Sequence, residues 1–136
     1  MDKKFLILSG IFFTAAFLFT AATFFQEQFL SLTRAQRFYN PSPTKSLILA
    51  YPVKLKANGF DQSTITVFVK NDDGIPIKDK DVRIQTNLGS VRPASIKTDE
   101  NGKAEFVITS EIEGVANITA IVDNTTIQQR ISVKFE

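Results

Sequence analysis

The chain has 136 residues, with 16 Lys plus Arg against 14 Asp plus Glu for a formal charge of +2, and it contains no His, Cys or Trp. That length holds one domain of ordinary size and a small addition, and the near-neutral charge sets up no field that would recruit nucleic acid. The missing residue types exclude thiolate nucleophiles, imidazole bases, disulfides and Cys/His zinc sites, which leaves carboxylates, Lys, Arg, Tyr and hydroxyls for any chemistry.

Seven of the 13 Phe lie between Phe5 and Phe25. Those 21 positions carry no charge, and their only polar side chains are Ser9, Thr14, Thr20 and Thr23. As a helix the stretch is about 31 Å long, which matches a hydrocarbon core of about 30 Å. Lys3 and Lys4 precede it on a short flank and favour keeping that end in the cytoplasm, whereas Arg34 and Arg37 beyond it pull the other way. The expectation is an uncleaved, single-pass signal anchor in the cytoplasmic membrane. It contacts lipid through Phe5 to Phe25, and the C-terminal remainder lies outside, periplasmic or at the cell surface. The alternative is a cleaved signal peptide with Thr20 and Ala22 marking the exit site; against it, Phe24 and Phe25 carry the apolar run past the cut.

Gln26 to Phe38 keeps helix formers, with apolar Phe29, Leu30, Leu32, Ala35 and Phe38, so one helix can run from Phe5 to about Phe38. A long N-terminal helix followed by a β domain resembles the layout of type IV pilin subunits. Lys3, Lys4 and Gly10 are similar to the basic leader of that family, while positions 11 to 25 lack the Glu usual in its mature helix. This resemblance implies, as the alternative function, a filament subunit assembled through its N-terminal helix.

Pro41 and Pro43 stop any helix, since each disfavours helical geometry in the residue before it. The expected organisation is a cytoplasmic tip and transmembrane anchor over 1–25, a membrane-proximal helix and Pro-containing linker over 26–45, and a domain over 46–136. Beyond Ser46 the helical period gives way to alternation. Ile65, Val67 and Val69 share one face of a strand; so do Val82, Ile84 and Thr86, then Ala104, Phe106 and Ile108, then Ala116, Ile118, Ala120 and Val122. Ile127, Ile131, Val133 and Phe135 form the last set. A first strand, Leu47 to Lys56, is broken by Pro52, which belongs at an edge or a bulge. Asn58-Gly59, Asp73-Gly74, Asn101-Gly102, Glu113-Gly114 and Asp123-Asn124 supply the turns. The fold class is all-β, an antiparallel sandwich of about seven strands behind one transmembrane helix.

Several segments taken in order resemble a known family. They are Ala57-Asn58-Gly59 leading into STITVFVKNDDGIPI, then VRIQTNLGSV, then Thr98 to Ala104, then Gly114 to Ala120. Together they look like the group 1 bacterial Ig-like domain, the repeat of invasins and intimins, over about Val53 to Phe135. The resemblance implies a β-sandwich with a structural, adhesion or protein-binding role. In that family the repeats usually occur in tandem arrays attached to an outer-membrane barrel, whereas this sequence carries one copy behind a helical span.

The carboxylates Asp72, Asp73, Asp79 and Asp81, with Asp99 and Glu100, are candidates for calcium, which needs six to eight oxygens. Lys78 and Lys80 interleave with them and no Asp-x-Asp-x-Asp-Gly spacing exists, so they read as solvated turn residues. Paired carboxylates on turns, with no aromatic-lined cleft, do not make a glycosidase either. The expectation is no catalytic, cofactor-binding or metal-binding residue, no cofactor, and a protein or surface-polymer partner. The sequons at Asn117 and Asn124 read as polar strand and turn residues.

Overall fold

A computed structural model describes residues 2–136, and their side chains except those of residues 24–38; Phe24, Phe25, Phe29, Leu30, Leu32, Ala35 and Phe38 therefore lie outside the described side chains. The chain divides into two compact units, Met1–Gln36 and Arg37–Glu136.

The first unit is helical. Helix α1 runs Lys3–Tyr39, continuous through the apolar run and on toward Pro41. Its segment Lys3–Thr23, of mean hydropathy 2.2, is long and apolar enough to cross a membrane. The hydroxyls of Thr14, Thr20 and Thr23 donate to the carbonyls of Gly10, Ala16 and Phe19 at 3.0, 2.8 and 3.2 Å. Each of these three threonines thus has a partner on its own helix, which lowers the cost of an apolar environment.

The second unit is a two-sheet Ig-like sandwich. Its strands are β1 (Leu47–Tyr51), β2 (Lys54–Leu55), β3 (Ser63–Phe68), β4 (Asp81–Thr86), β5 (Ser90–Arg92), β6 (Ile96–Lys97), β7 (Lys103–Thr109), β8 (Gly114–Val122), β9 (Thr125–Thr126) and β10 (Ile131–Phe135). One sheet has the order β1-β3-β7-β5; the other is β2-β10-β8-β4-β6, with β9 paired to β8. The alternating positions fall inward as their period requires: Ile65, Val67, Val69, Phe106, Ile108, Ile118, Val122, Val133 and Phe135 are all buried between the sheets. Ile84 and Ile131 pack only at the margin.

Three features differ from a reading of local pattern. The stretch from Leu47 to Lys56 is two strands in different sheets: β1 pairs antiparallel with β3, and after Pro52 β2 pairs parallel with β10. Proline lacks the N–H a ladder needs, so the chain changes sheets there. Asn101-Gly102 does not close a hairpin between paired strands, because β6 belongs to one sheet and β7 to the other. Only Gly102 has positive φ, 69°, and the turn is held by Asp99, whose carboxylate accepts from the N–H groups of Asn101 and Lys103 at 2.8 and 2.9 Å. Finally, the short strands β5 and β6 interrupt the region after β4, where the alternation is too brief to read.

Residues 40–46 are bound to the sandwich. Ser42 and Ser46 are buried, the N–H of Ser42 donates to the Lys70 carbonyl at 2.7 Å, and Pro43 accepts from Gln128 at 3.0 Å.

Candidate interaction surface

The two ends of the sandwich are chemically different. At the end that receives residues 40–46, near Lys70, the turns carry the carboxylates singled out in the sequence. They are dispersed there into separate contacts. Asp99 holds its own turn, Glu100 pairs with Lys78 at 3.2 Å, and Asp123 pairs with Lys80 at 3.0 Å and accepts from the Asp81 N–H. The Asp81 carboxylate accepts from the Ser95 hydroxyl, Asp79 sits in a left-handed turn with φ 58°, and Asp72 and Asp73 are exposed. Among the described residues no three acidic side chains gather as a metal-holding group. The Glu100 hydrogen bond raises the pKa of Lys78 above the ordinary lysine value.

At the opposite end the connections between β2 and β3, between β4 and β5, and between β7 and β8 meet. The N–H of Gly59 donates to the Ser110 carbonyl at 3.0 Å, which ties two of them together. Each is also braced internally. Asn58 Oδ1 accepts from the N–H groups of Phe60 and Asp61 at 2.9 and 2.8 Å, and Asn58 Nδ2 donates to the Asp61 carboxylate at 3.1 Å. Ser110 Oγ donates to the Ile112 carbonyl at 2.8 Å and accepts from its N–H at 3.1 Å. These local bonds fix the backbone without help from the side chains of Phe60 and Ile112, which point to solvent 84% and 67% exposed.

Large apolar side chains held outward on ordered turns make this end the candidate interaction surface, because a partner covering them would gain apolar contact with little offset from ordering the loop. Along one edge, β1 adds exposed Leu49 and Tyr51, with Val53 just beyond. The sequence marked the turns that bear Phe60 and Ile112 but did not single out either side chain. The signal available was an apolar residue directly after Asn58-Gly59 and another directly before Glu113-Gly114.

Glu136, beside Lys54 at 2.5 Å and Lys134 at 2.9 Å, adds a charged rim at this end. The hydrogen bonds from Lys54 first and Lys134 second lower its carboxyl below the ordinary carboxylate value. The sequon residues have strand and turn environments. Asn117 accepts from Ser132 at 3.0 Å, and Asn124 is exposed next to Asp123, whose φ of 51° closes the β8–β9 connection.

Comparison with known proteins gives consistent relatives. The family profile "Bacterial Ig-like domain (group 1)" matches residues 48–136. Intimin of Escherichia coli O127:H6 (strain E2348/69 / EPEC) is 35% identical over 71 residues, which is 52% of this chain and 8% of intimin. Among solved structures, the C-terminal 282-residue fragment of intimin in complex with the intimin-binding domain of the translocated intimin receptor superposes with a TM-score of 0.61 at 30% identity. That match covers 71% of this chain and 33% of the other. Invasin, described as a bacterial integrin-binding protein, gives a TM-score of 0.58 at 30% identity over 67% of this chain and 19% of its own. The chain thus spans a third or less of the length of these three relatives.

Proposed function

The chain belongs to the group 1 bacterial Ig-like domain family, and on that premise we propose that it is a membrane-anchored surface protein with a non-catalytic adhesion or protein-binding role. In this reading residues 1–25 are the cytoplasmic tip and anchor in the cytoplasmic membrane, residues 26–45 lead away from the bilayer, and residues 46–136 are displayed outside. The observation that carries the proposal is the exposed pair Phe60 and Ile112, held on braced turns at the end of the sandwich remote from residues 40–46. Relatives described by their protein receptors, translocated intimin receptor and integrin, support a protein as the partner class.

Site-specific photo-crosslinking in cells tests it. A photoreactive amino acid at position 60 or 112 is expected to capture a protein partner, and the same group at Asp73, on the other end, is not. Equal capture from Asp73, or none from 60 and 112, would overturn the assignment.

The 37-residue continuous helix favours a second reading, a filament subunit assembled through α1. Electron microscopy of the wild-type protein separates the two: the anchored module forms no fibres.

A further inference from the structure

Most open strand edges of the sandwich are guarded. On β1, Gln129 Oε1 accepts from the outward N–H of Ile48 at 3.1 Å and Pro52 offers no donor, while β2 and β6 are only two residues long. The second half of β4 differs. The Asp123 N–H donates to the Asp81 carbonyl at 2.8 Å, so Asp81, and by alternation Arg83 and Gln85, turn their backbone groups toward β8. Val82, Ile84 and Thr86 turn theirs to the other edge. There β6 reaches only Asp81 and Val82. Ile84 and Thr86 therefore present N–H and C=O groups that have no backbone partner among the described residues.

A groove of about 720 Å³ runs beside this edge, walled by Ile84, Thr86, Ser90, Val91 and Ala94, with no charged side chain in its lining. A neighbouring hollow shares Ile84, Gln85 and Ala94 and carries the groove on to Arg83 and to Asp123, whose carboxylate is paired with Lys80 at 3.0 Å. The Arg83 guanidinium donates to the Asp123 carbonyl at 3.4 Å and forms no salt bridge among the described residues.

We propose that the free edge of β4 at Ile84 and Thr86 accepts an extended peptide segment of a partner protein as an added strand, with an acidic side chain set against Arg83. Backbone groups two residues apart, about 7 Å along a strand, are matched by an extended chain with the same repeat. The uncharged walls favour small or β-branched side chains beside Ser90, Val91 and Ala94. The Arg83 guanidinium is a fork suited to a carboxylate. The site lies on the flank of the sandwich and does not depend on Phe60 or Ile112.

The test uses the full chain in lipid nanodiscs and a phage-displayed library of random nonapeptides. Selection is expected to enrich proline-free, alternating sequences with Asp or Glu toward one end. Ile84→Pro removes one edge donor and leaves the pairing with β8 through Arg83 and Gln85; it should weaken the selected peptides at least tenfold. Arg83→Glu should weaken acidic peptides tenfold and leave their Gln analogues unchanged. Hydrogen exchange on the wild type needs no variant: the Ile84 and Thr86 amides should slow when peptide is added, and N-methylating alternate peptide amides should abolish the effect. No enrichment, peptides indifferent to Ile84→Pro, unchanged exchange at both amides, or pairing of two copies of the chain through this edge would each overturn the proposal.

Discussion

Ser46 and Lys70 exchange two hydrogen bonds: the Lys70 N–H donates to Ser46 Oγ at 3.1 Å, and Ser46 Oγ donates to the Lys70 carbonyl at 3.2 Å. Twenty-four residues apart in sequence, they fasten the segment before β1 to the end of β3. Ser42 adds a third bond to the same carbonyl.

Ser46 is buried, so Ser46→Ala strands the Lys70 N–H away from water. The expected cost is about 1–3 kcal/mol. Thermal denaturation of the full chain in detergent micelles should show a fall of several degrees; an unchanged midpoint would mean that the segment is not held by this contact.

Phe106 and Phe60 are the same residue type at opposite extremes of exposure. Phe106→Ala empties part of the core and should cost about 3–5 kcal/mol. Phe60→Ala should change stability by no more than about 0.5 kcal/mol. Denaturant titration of both variants checks the contrast, and a comparable loss in each would show that Phe60 supports the fold.

Gly74 and Gly102 have similar positive φ values, 79° and 69°, in different surroundings. An added Cβ at Gly74 meets nothing within 4 Å, whereas at Gly102 it lies 2.4 Å from the Val69 carbonyl oxygen. Gly74→Ala should cost only the left-handed strain, roughly 1–2 kcal/mol. Gly102→Ala must also move backbone, so its melting point should fall clearly further.

Glu136 and Lys78 give pH dependences of opposite sign. Glu136 is lowered in the folded state, so its small contribution is present above the ordinary carboxylate range and lost as pH falls through the lowered value. Lys78 is raised, so its contribution is present below the ordinary lysine value and lost as pH rises through the raised one. NMR titration should show Lys54→Gln moving Glu136 upward and Glu100→Gln moving Lys78 downward.

The chain has no Cys, so one introduced cysteine reports topology. In intact cells Phe60→Cys should react with a reagent that cannot cross the cytoplasmic membrane, and intact mass should show residues 1–22 still attached. A mature N-terminus at Thr23 would refute the anchor.

The core was legible because a half-buried strand writes its inward face as every second residue. Ile65, Val67, Phe106, Ile118 and Val133 all follow that rule and are all buried. The candidate surface was less legible. Phe60 and Ile112 are 52 positions apart and belong to no periodic run, and what makes them a site is the Gly59 to Ser110 hydrogen bond.

By itself the sequence determined what depends on neighbours along the chain: an uncharged run long enough to span a bilayer, the alternation that makes an all-β core, and the Gly and Pro positions where strands must stop. Only the tertiary structure decided what depends on pairing between distant segments. The division of Leu47 to Lys56 between two sheets, the turn at Gly102 that crosses from one sheet to the other, and the open edge at Ile84 and Thr86 all follow from which strand lies beside which. Strand order is fixed by long-range hydrogen bonding and by the fit of the whole core, and no local stretch of residues carries that information.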